Sequence, residues 1–219
     1  VLIVVLALTL LSSADALSLP SPTSPSSSGK KKKNAPPGTQ HRNTRIPVIR
    51  YEHDWVCVNK PAGISVHRSS NTRRNEVTLR GMLKKQLARK MFPVHRLDHR
   101  TSGAILFAFD SATCGQIHDQ LRKGTKDYIA LLRGEWKYDS NRVTIDDPLK
   151  VDGVLKESVT DFELIASSNY QDMPCSLVRC MPKTGRTHQI RRHAYHLGHP
   201  IIGDSQHGDS KVNRLWRTQ

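Results

Sequence analysis

In the stretch His95-Arg96-Leu97-Asp98-His99-Arg100-Thr101-Ser102-Gly103 a single carboxylate, Asp98, lies among four side chains that are cationic or can become so. Neighbouring arginines favour the ionised form of a carboxyl group, which suits a nucleophile or a base and does not suit a general acid. The same composition also serves a structural aspartate that caps a turn or pairs with an arginine, and composition alone does not choose between the two. Thr101, Ser102 and Gly103 turn the chain, and Ala104 to Phe109 reads as a buried strand. The acid is therefore expected at the mouth of a strand.

A second group with chemical potential is Lys183-Thr184-Gly185-Arg186-Thr187-His188-Gln189-Ile190-Arg191-Arg192. Gly185 permits close approach of backbone to a partner, and the planar fork of Arg186 can clamp a carboxylate or a phosphate. There is no GxxxxGK[ST], so nucleotide hydrolysis is unsupported. The plain alternative is a helix start with exposed arginines. His188, His193, His196 and His199 raise the question of zinc. Arg191 and Arg192 lie among them, no carboxylate is close in sequence, and Gly198-His199-Pro200 ends the helix, so a metal site is not expected. Tyr128, in a strand, would ordinarily be a packed aromatic with a satisfied hydroxyl.

The elements that must position these groups follow from local pattern. Trp55 to Asn59 is a short strand, and Lys60-Pro61-Ala62-Gly63 a turn. Leu79, Met82, Leu83, Leu87 and Met91 recur at helical spacing within Val77–Met91, with Arg80, Lys84, Lys85, Arg89 and Lys90 on the other face and Pro93 as the stop. Asp110 or Ser111 caps a second helix with Ile117 and Leu121 on one face, closed by Gly124. Thr125–Gly134 reads as a strand, Arg142–Ile145, Thr160–Ala166 and Ser176–Met181 as further strands, and His188–Leu197 as a helix before a polar, basic tail. Strands outnumber helices without βαβ alternation, so the expected class is α+β, a mixed and mostly antiparallel sheet flanked by helices.

Charge bounds the partner. Lys and Arg number 34 against 19 Asp and Glu, a formal net charge of +15. Part of the excess is the tail run Lys30–Lys33, but much lies in the body, at Arg73-Arg74, Lys84-Lys85, Arg89-Lys90 and Arg191-Arg192. Such an excess repels itself in a compact chain and is relieved by a polyanion, which points to nucleic acid. Cys57, Cys114, Cys175 and Cys180 form no CxxC pair, so neither a zinc framework nor a disulfide scaffold is indicated, and Cys57 and Cys114 are expected to pack as small hydrophobes.

The first residues, VLIVVLALTLL, are apolar but short for a membrane span, and Ala14-Asp15-Ala16 has the small-residue form of a cleavage site. Leu17–Gln40 is rich in Ser, Pro, Lys and Gly and is expected to be disordered. Residues 1–45 thus read as a cleaved targeting leader and linker, and 46–219 as one domain. The chain lacks an initiator Met and reads as a fragment of a longer product.

The motifs taken together and in order resemble the RluA-type pseudouridine synthases (the RsuA/RluA-like catalytic domain). His95-Arg96-Leu97-Asp98 with Thr101-Ser102-Gly103 is similar to the family signature. Val58-Asn59-Lys60-Pro61-Ala62-Gly63 with Val66-His67 resembles its opening strand and turn, and Lys126-x-Tyr128 its tyrosine strand. Pro182 to Arg191 and His199-Pro200-Ile201-Ile202-Gly203-Asp204 resemble its later motifs. Val66-His67-Arg68-Ser69, the run Gly203 to Asp209, and Asn213-Arg214 look most like the TruC branch, which acts on tRNA. The resemblance spans about Ile46 to Arg214.

It implies the pseudouridine synthase fold and isomerisation of uridine in structured RNA, tRNA first and ribosomal RNA second, after base flipping. It implies Asp98 as the reacting carboxylate, attacking base or sugar or abstracting a proton, and Tyr128 as the residue that stacks on the target base and assists loss of the C5 proton. It implies Arg186 as the partner that holds Asp98, and Arg96 as the side chain that enters the space left by the extruded nucleotide. His95, Arg100, His67, Arg68, Lys126, His188, Arg191 and Arg192 are the further RNA-binding candidates. No metal or other cofactor, no stable membrane association and a monomer are expected. The family usually continues past Asn-Arg into a further apolar strand, and His99 stands where arginine is more usual. The rivals are a non-catalytic RNA-binding module of the same fold and, more weakly, a nucleoside glycosidase, for which Asp98 lacks a second acid. A leader before an RNA enzyme suits delivery to a plastid or mitochondrion, with the cytoplasm as the alternative.

Overall fold

The computed structural model describes residues 2–5, 44–68, 76–170 and 172–215. In chain order the elements are β1 (Leu2–Val5), β2 (Val48–Tyr51), β3 (Trp55–Lys60), α1 (Leu79–Leu87), β4 (Phe92–Pro93), β5 (Ser102–Ala108), α2 (Ser111–Lys123) and β6 (Asp127–Arg133). They continue with β7 (Arg142–Ile145), β8 (Leu149–Val151), β9 (Val154–Lys156), β10 (Thr160–Tyr170), β11 (Met173–Pro182), α3 (Gln189–His196) and α4 (Ser210–Leu215). The large sheet runs β2-β3-β5-β1-β6-β11-β10-β7, with β4 beside β5, and β8–β9 form a separate hairpin. Apart from the parallel pair β1–β5, its pairings are antiparallel. The fold is α+β, as the element pattern predicts.

Strand β5 explains the sheet's depth. Ile105 and Phe107 pack with Leu79, Met82 and Leu83 of α1 on one face. Leu106 and Ala108 pack with Leu121 of α2 on the other. A strand covered on both faces has no solvent side, hence its unbroken apolar sequence. The far half of the sheet has its own core: Ala130, Leu132, Phe162 and Val178 lie against Ile190 and Ala194 of α3. Tyr128 packs against both cores, at the seam of the two halves.

Several boundaries differ from expectation for local reasons. Helix α1 begins where Thr78 Oγ1 accepts the Gly81 N–H and ends at Ala88, which is left-handed at φ 53°, so it stops five residues before Pro93. Pro93 instead lies in β4. Asp110, not Ser111, caps α2, accepting the Thr113 N–H at 2.8 Å. β10 and β11 run longer than the apolar segments that mark them, because pairing carries the hairpin on past the core. The β8–β9 hairpin turns on Asp152 and Gly153, both at positive φ, a turn chemistry that Asp-Gly supplies. The basic tail contains the short helix α4.

Leu2–Val5, the head of the apolar run read as a leader, is a strand in the sheet, with Ile3 opposite Ser102 and Val4 opposite Tyr128. Residues 6–43, including the expected cleavage site and Ser/Pro/Lys-rich linker, lie outside the described residues. So does the basic pair Arg73-Arg74.

Candidate active site

Asp98 sits in the connection between β4 and β5, where Thr101 N–H donates to Asp98 O at 3.0 Å and closes a turn. That turn is held from beneath by Lys60. Val56, Val58 and Lys60 alternate onto the inner face of β3, and Lys60 has no exposed surface. Its Nζ donates to Thr101 O at 2.7 Å, Pro61 O at 3.0 Å and His99 O at 3.2 Å. Gly63 N–H also donates to His99 O. The loop is thus pinned immediately after Asp98. Burial pushes the Lys60 ammonium down to about 8, opposed by the nearby charge of Asp98. Period-two alternation across β3 carries the signal for Lys60, which reads otherwise as a turn residue.

The partner of Asp98 is Arg191. Its Nη1 donates to Asp98 Oδ2 at 2.9 Å. Its Nε and Nη2 donate to the two oxygens of Asp204, each at 2.7 Å, and Nη2 also reaches Gln206 Oε1 at 2.9 Å. The Asp204 side chain is only 3% exposed and also accepts the N–H groups of Gln206 and His207. Its carboxyl is held down at about 2: burial acts to raise it and is outweighed by these hydrogen bonds and the Arg191 charge.

This corrects the expected clamp. Arg186 Nε donates to the backbone oxygen of Glu157 at 3.0 Å, away from Asp98. Arg186 precedes the helix, where His188 takes a left-handed conformation (φ 55°) and redirects the chain. Arg191 lies on the first turn of α3, which faces the acid. Gln189 pins the intervening loop: its Oε1 accepts from Thr184 Oγ1 and Arg186 N–H, and its Nε2 donates to Val159 O and Thr160 Oγ1. Nor do the adjacent Arg96 and Arg100 pair with Asp98. Arg100 Nη1 donates to Gly203 O at 3.2 Å, and Arg96 is exposed on the rim.

Asp98 opens into two cavities that share Arg96, Leu97, Thr101, His188 and Arg191. One, of about 290 Å³, reaches Tyr128, Lys126, His95, His118 and Arg186. The other, of about 710 Å³, reaches His67, Glu76, His99, Arg100 and the turn Ile201–Gln206. Tyr128 is half-buried, and burial, reinforced by Asp98 and Cys180, pushes its hydroxyl up to about 12. It keeps its proton at neutral pH. His188 Nε2 lies 3.8 Å from Asp98 Oδ2, and burial pushes the imidazole pKa down. His95 Nε2 accepts the Leu106 N–H at 3.2 Å, and burial followed by the Lys126 charge pushes it down to about 4. It is therefore a neutral wall of the cavity and adds no positive charge around Asp98.

The remaining candidates divide. His67 and Arg68 are exposed on the loop after β3, and His67 lines the larger cavity. Lys126 lines the smaller one, its ammonium pKa lowered by burial. Arg192 faces away, with Nη1 donating to Lys150 O on β8. The other histidines of α3 and its exit are bound structurally: His193 to Thr160 Oγ1 and Asp147 O, His196 to Asp147, and His199 to Arg133 O. Among the described residues no three His, Cys, Asp or Glu side chains converge on a metal position. Nor is any described helix long and apolar enough to cross a membrane.

Comparison with known proteins identifies the family. The profile of the RNA pseudouridylate synthase family matches residues 54–196, which contain Asp98, Tyr128 and Arg191. The chain is 39% identical over 194 residues to the tRNA pseudouridine synthase C of Pasteurella multocida, covering 79% of each chain. It is 35% identical to the protein of that name from Haemophilus ducreyi, covering 77% of this chain and 76% of that one. Among solved structures, human RNA pseudouridylate synthase domain containing 1 superposes with a TM-score of 0.64 at 29% identity, over 78% of this chain and 73% of that one. With a carboxylate gripped by a partly buried guanidinium beside a protonated tyrosine, on this fold and at this similarity, the chain belongs to the RNA pseudouridylate synthase family and is an RNA pseudouridine synthase.

Proposed function

We propose that this enzyme isomerises a uridine of tRNA, with Asp98 as the group that attacks the extruded nucleotide. The carrying observation is the asymmetric grip on Asp98. Arg191 holds Oδ2, while Oδ1 accepts no hydrogen bond from the described residues. One oxygen is oriented and the other is left for the substrate. The reaction breaks the bond from ribose C1′ to N1, joins C1′ to C5, and moves the C5 proton off as N1 gains one, so no oxidant or group donor is consumed. A base inside a helix exposes neither edge to such a carboxylate. It must be unstacked at a cost of about a few kcal/mol, and cations at the rim such as Arg96 and Arg100 offset that by holding the backbone. Tyr128, apolar in its ring and protonated at its tip, suits stacking on the base and relaying a proton, and does not suit bearing negative charge.

The tRNA assignment rests on the names of the relatives. The test is conversion of uridine in transcribed tRNA and ribosomal RNA fragments by the parent and by Asp98→Asn. The parent is expected to act on tRNA, and the variant to bind tRNA normally with no product. Turnover by Asp98→Asn at the parent rate refutes the role of Asp98, and product in ribosomal RNA alone refutes the tRNA assignment. Organellar delivery is a separate proposal, resting on the character of residues 1–45. A fluorescent fusion retained in the cytosol refutes it.

A further inference from the structure

The turn after Ile202 lines the larger cavity beside Asp98, and together with the short helix α4 behind it is wired to the acid. Asn213 of α4 is 5% exposed. Its Nδ2 donates to Asp204 O at 2.7 Å and its Oδ1 accepts the Gly203 N–H at 2.8 Å. It therefore grips the backbone on both sides of the Gly203–Asp204 peptide. Asp204 in turn takes Nε and Nη2 of Arg191, and Arg191 presents Nη1 to Asp98. The packing admits no slack: a Cβ on Gly208 would stand 2.4 Å from Asp204 O and 3.2 Å from Asn213 Nδ2. Asp209 secures the helix start, accepting the N–H groups of Lys211 and Val212, and bonds Arg133 Nη1.

A guanidinium is a rigid planar fork, so fixing two of its donors fixes where the third points. The geometry points to the Gly203–Asn213 segment as a strap that aims Asp98 through Arg191, with Asp204 and Asn213 as positioning residues. Asp204 has a second effect. A lone Arg191 would give its whole charge to Asp98, whereas an arginine already neutralised by a buried carboxylate orients the acid and leaves it its own charge. The inference rests on the role proposed for Asp98. It goes beyond that role because it assigns Asp204 and Asn213 a part in aiming Asp98.

Two measurements test it. In the first, turnover and tRNA affinity are compared for Asp204→Asn, Asn213→Ala, Arg191→Lys and the double variant Arg191→Lys/Asp204→Asn. Asp204→Asn is expected to lower kcat about tenfold to a hundredfold, with KM for tRNA within about twofold, since a displaced reacting group loses rate without losing substrate contacts. Asn213→Ala is expected to follow in the same direction and less far. In the Arg191→Lys background Asp204→Asn is expected to cost less than about twofold more. Full multiplication of the two losses overturns the strap, as does parental kcat in Asp204→Asn. The second measurement needs no activity: the Arg191 Nε–H resonance, followed by nitrogen-15 NMR. It is expected as a distinct, slowly exchanging signal in the parent that is lost in Asp204→Asn and Asn213→Ala. An unchanged signal in those variants overturns the strap even if kcat falls. An inactive parent with an ordered Arg191 signal overturns the reading of Asp98 and leaves the strap standing.

Discussion

Replacing Lys60 by methionine keeps the length of the side chain and removes the ammonium beneath the Asp98 turn. Two opposed quantities set the outcome. Burial pushes the Lys60 pKa from 10.5 to about 8, a charging cost of at most about 3 kcal/mol that the variant no longer bears. Against this, the carbonyl oxygens of Pro61 and Thr101 lose the ammonium as donor, and His99 O is left with the Gly63 N–H. An unsatisfied buried acceptor costs about 1–3 kcal/mol, so the two bare oxygens cost about 2–6 kcal/mol, and set against the relieved charging cost the net destabilisation is at most about 3 kcal/mol. Two of the three carbonyls, His99 O and Thr101 O, lie within three residues after Asp98, so turnover is expected to fall further than stability alone requires.

The pH dependence separates this account from a general loss of packing. A lysine whose folded value is lowered releases its proton in the native state near pH 8 and in the unfolded chain near 10.5. Between these the unfolded chain binds more protons, so the charging cost is fully present below pH 8 and is relieved as pH rises to 10.5. Parent activity is therefore expected to decline above about pH 8, as the amine keeps two N–H groups for three carbonyls, without a matching loss of stability from this residue. Turnover from pH 6.5 to 9.5 and calorimetric melting across the same range are the measurements. Lys60→Met that melts and turns over like the parent, or that keeps the alkaline decline near pH 8, would falsify the pinning role.

Other outcomes follow from the same geometry. Tyr128→Phe keeps the stacking ring and removes the proton at its tip; kcat is expected to drop by about a hundredfold with tRNA affinity retained, and parental kcat removes the proton-relay role. His95 is held neutral with a value of about 4, so below about pH 6.5 the unfolded chain binds a proton that the fold refuses. Stability is expected to fall by up to about 3 kcal/mol between pH 6.5 and 4, with His188, His193 and His207 adding in the same sense. Urea melts of His95→Gln should show a shallower acid slope than the parent, and an identical slope refutes this. Arg96→Gln, on the rim of both cavities, is expected to weaken tRNA binding and to reduce the slope of log affinity against log salt by just under one unit if it meets a phosphate; an unchanged slope places Arg96 off the backbone.

How much of this was legible in the chain depended on the range over which each feature is determined. The cap of α2 lies within three residues of the group it bonds, and Asp110 is one of the two residues the sequence offers for it, whereas Thr78, the cap of α1, falls inside the Val77–Met91 span that the apolar spacing marks as helix. The apolar run of β5 announces a strand buried on both faces, and the structure supplies the second face. The apolar spacing of α1 continues to Met91 and so predicts too long a helix, because a left-handed Ala88 has no sequence mark; Met91 remains buried in the same core from beyond the helix end. Lys60 was passed over because a lysine after two inward valines contradicts hydropathy, and only its three carbonyl partners, two of them about forty residues away, make burial tolerable.

The sequence by itself brought forward the candidates, an acid at the mouth of a strand and a tyrosine opening another, in a chain whose excess of basic residues points to a polyanionic partner. It could not decide what holds the acid. Arg96 and Arg100 are nearest to Asp98 along the chain and bond elsewhere or face solvent, because a tight turn sends successive side chains in different directions. Arg186 has the glycine-flanked look of a clamp, but His188 at positive φ turns the chain between it and the helix. The residue that reaches Asp98 is Arg191, 93 positions away, aimed by Asp204 and through it by Asn213. Such a pairing is set by the docking of α3 against β10 and β11 and by the turn that follows it. Only the closed fold decides that, because the pairing exists only once the two half-sheets and their helices have met.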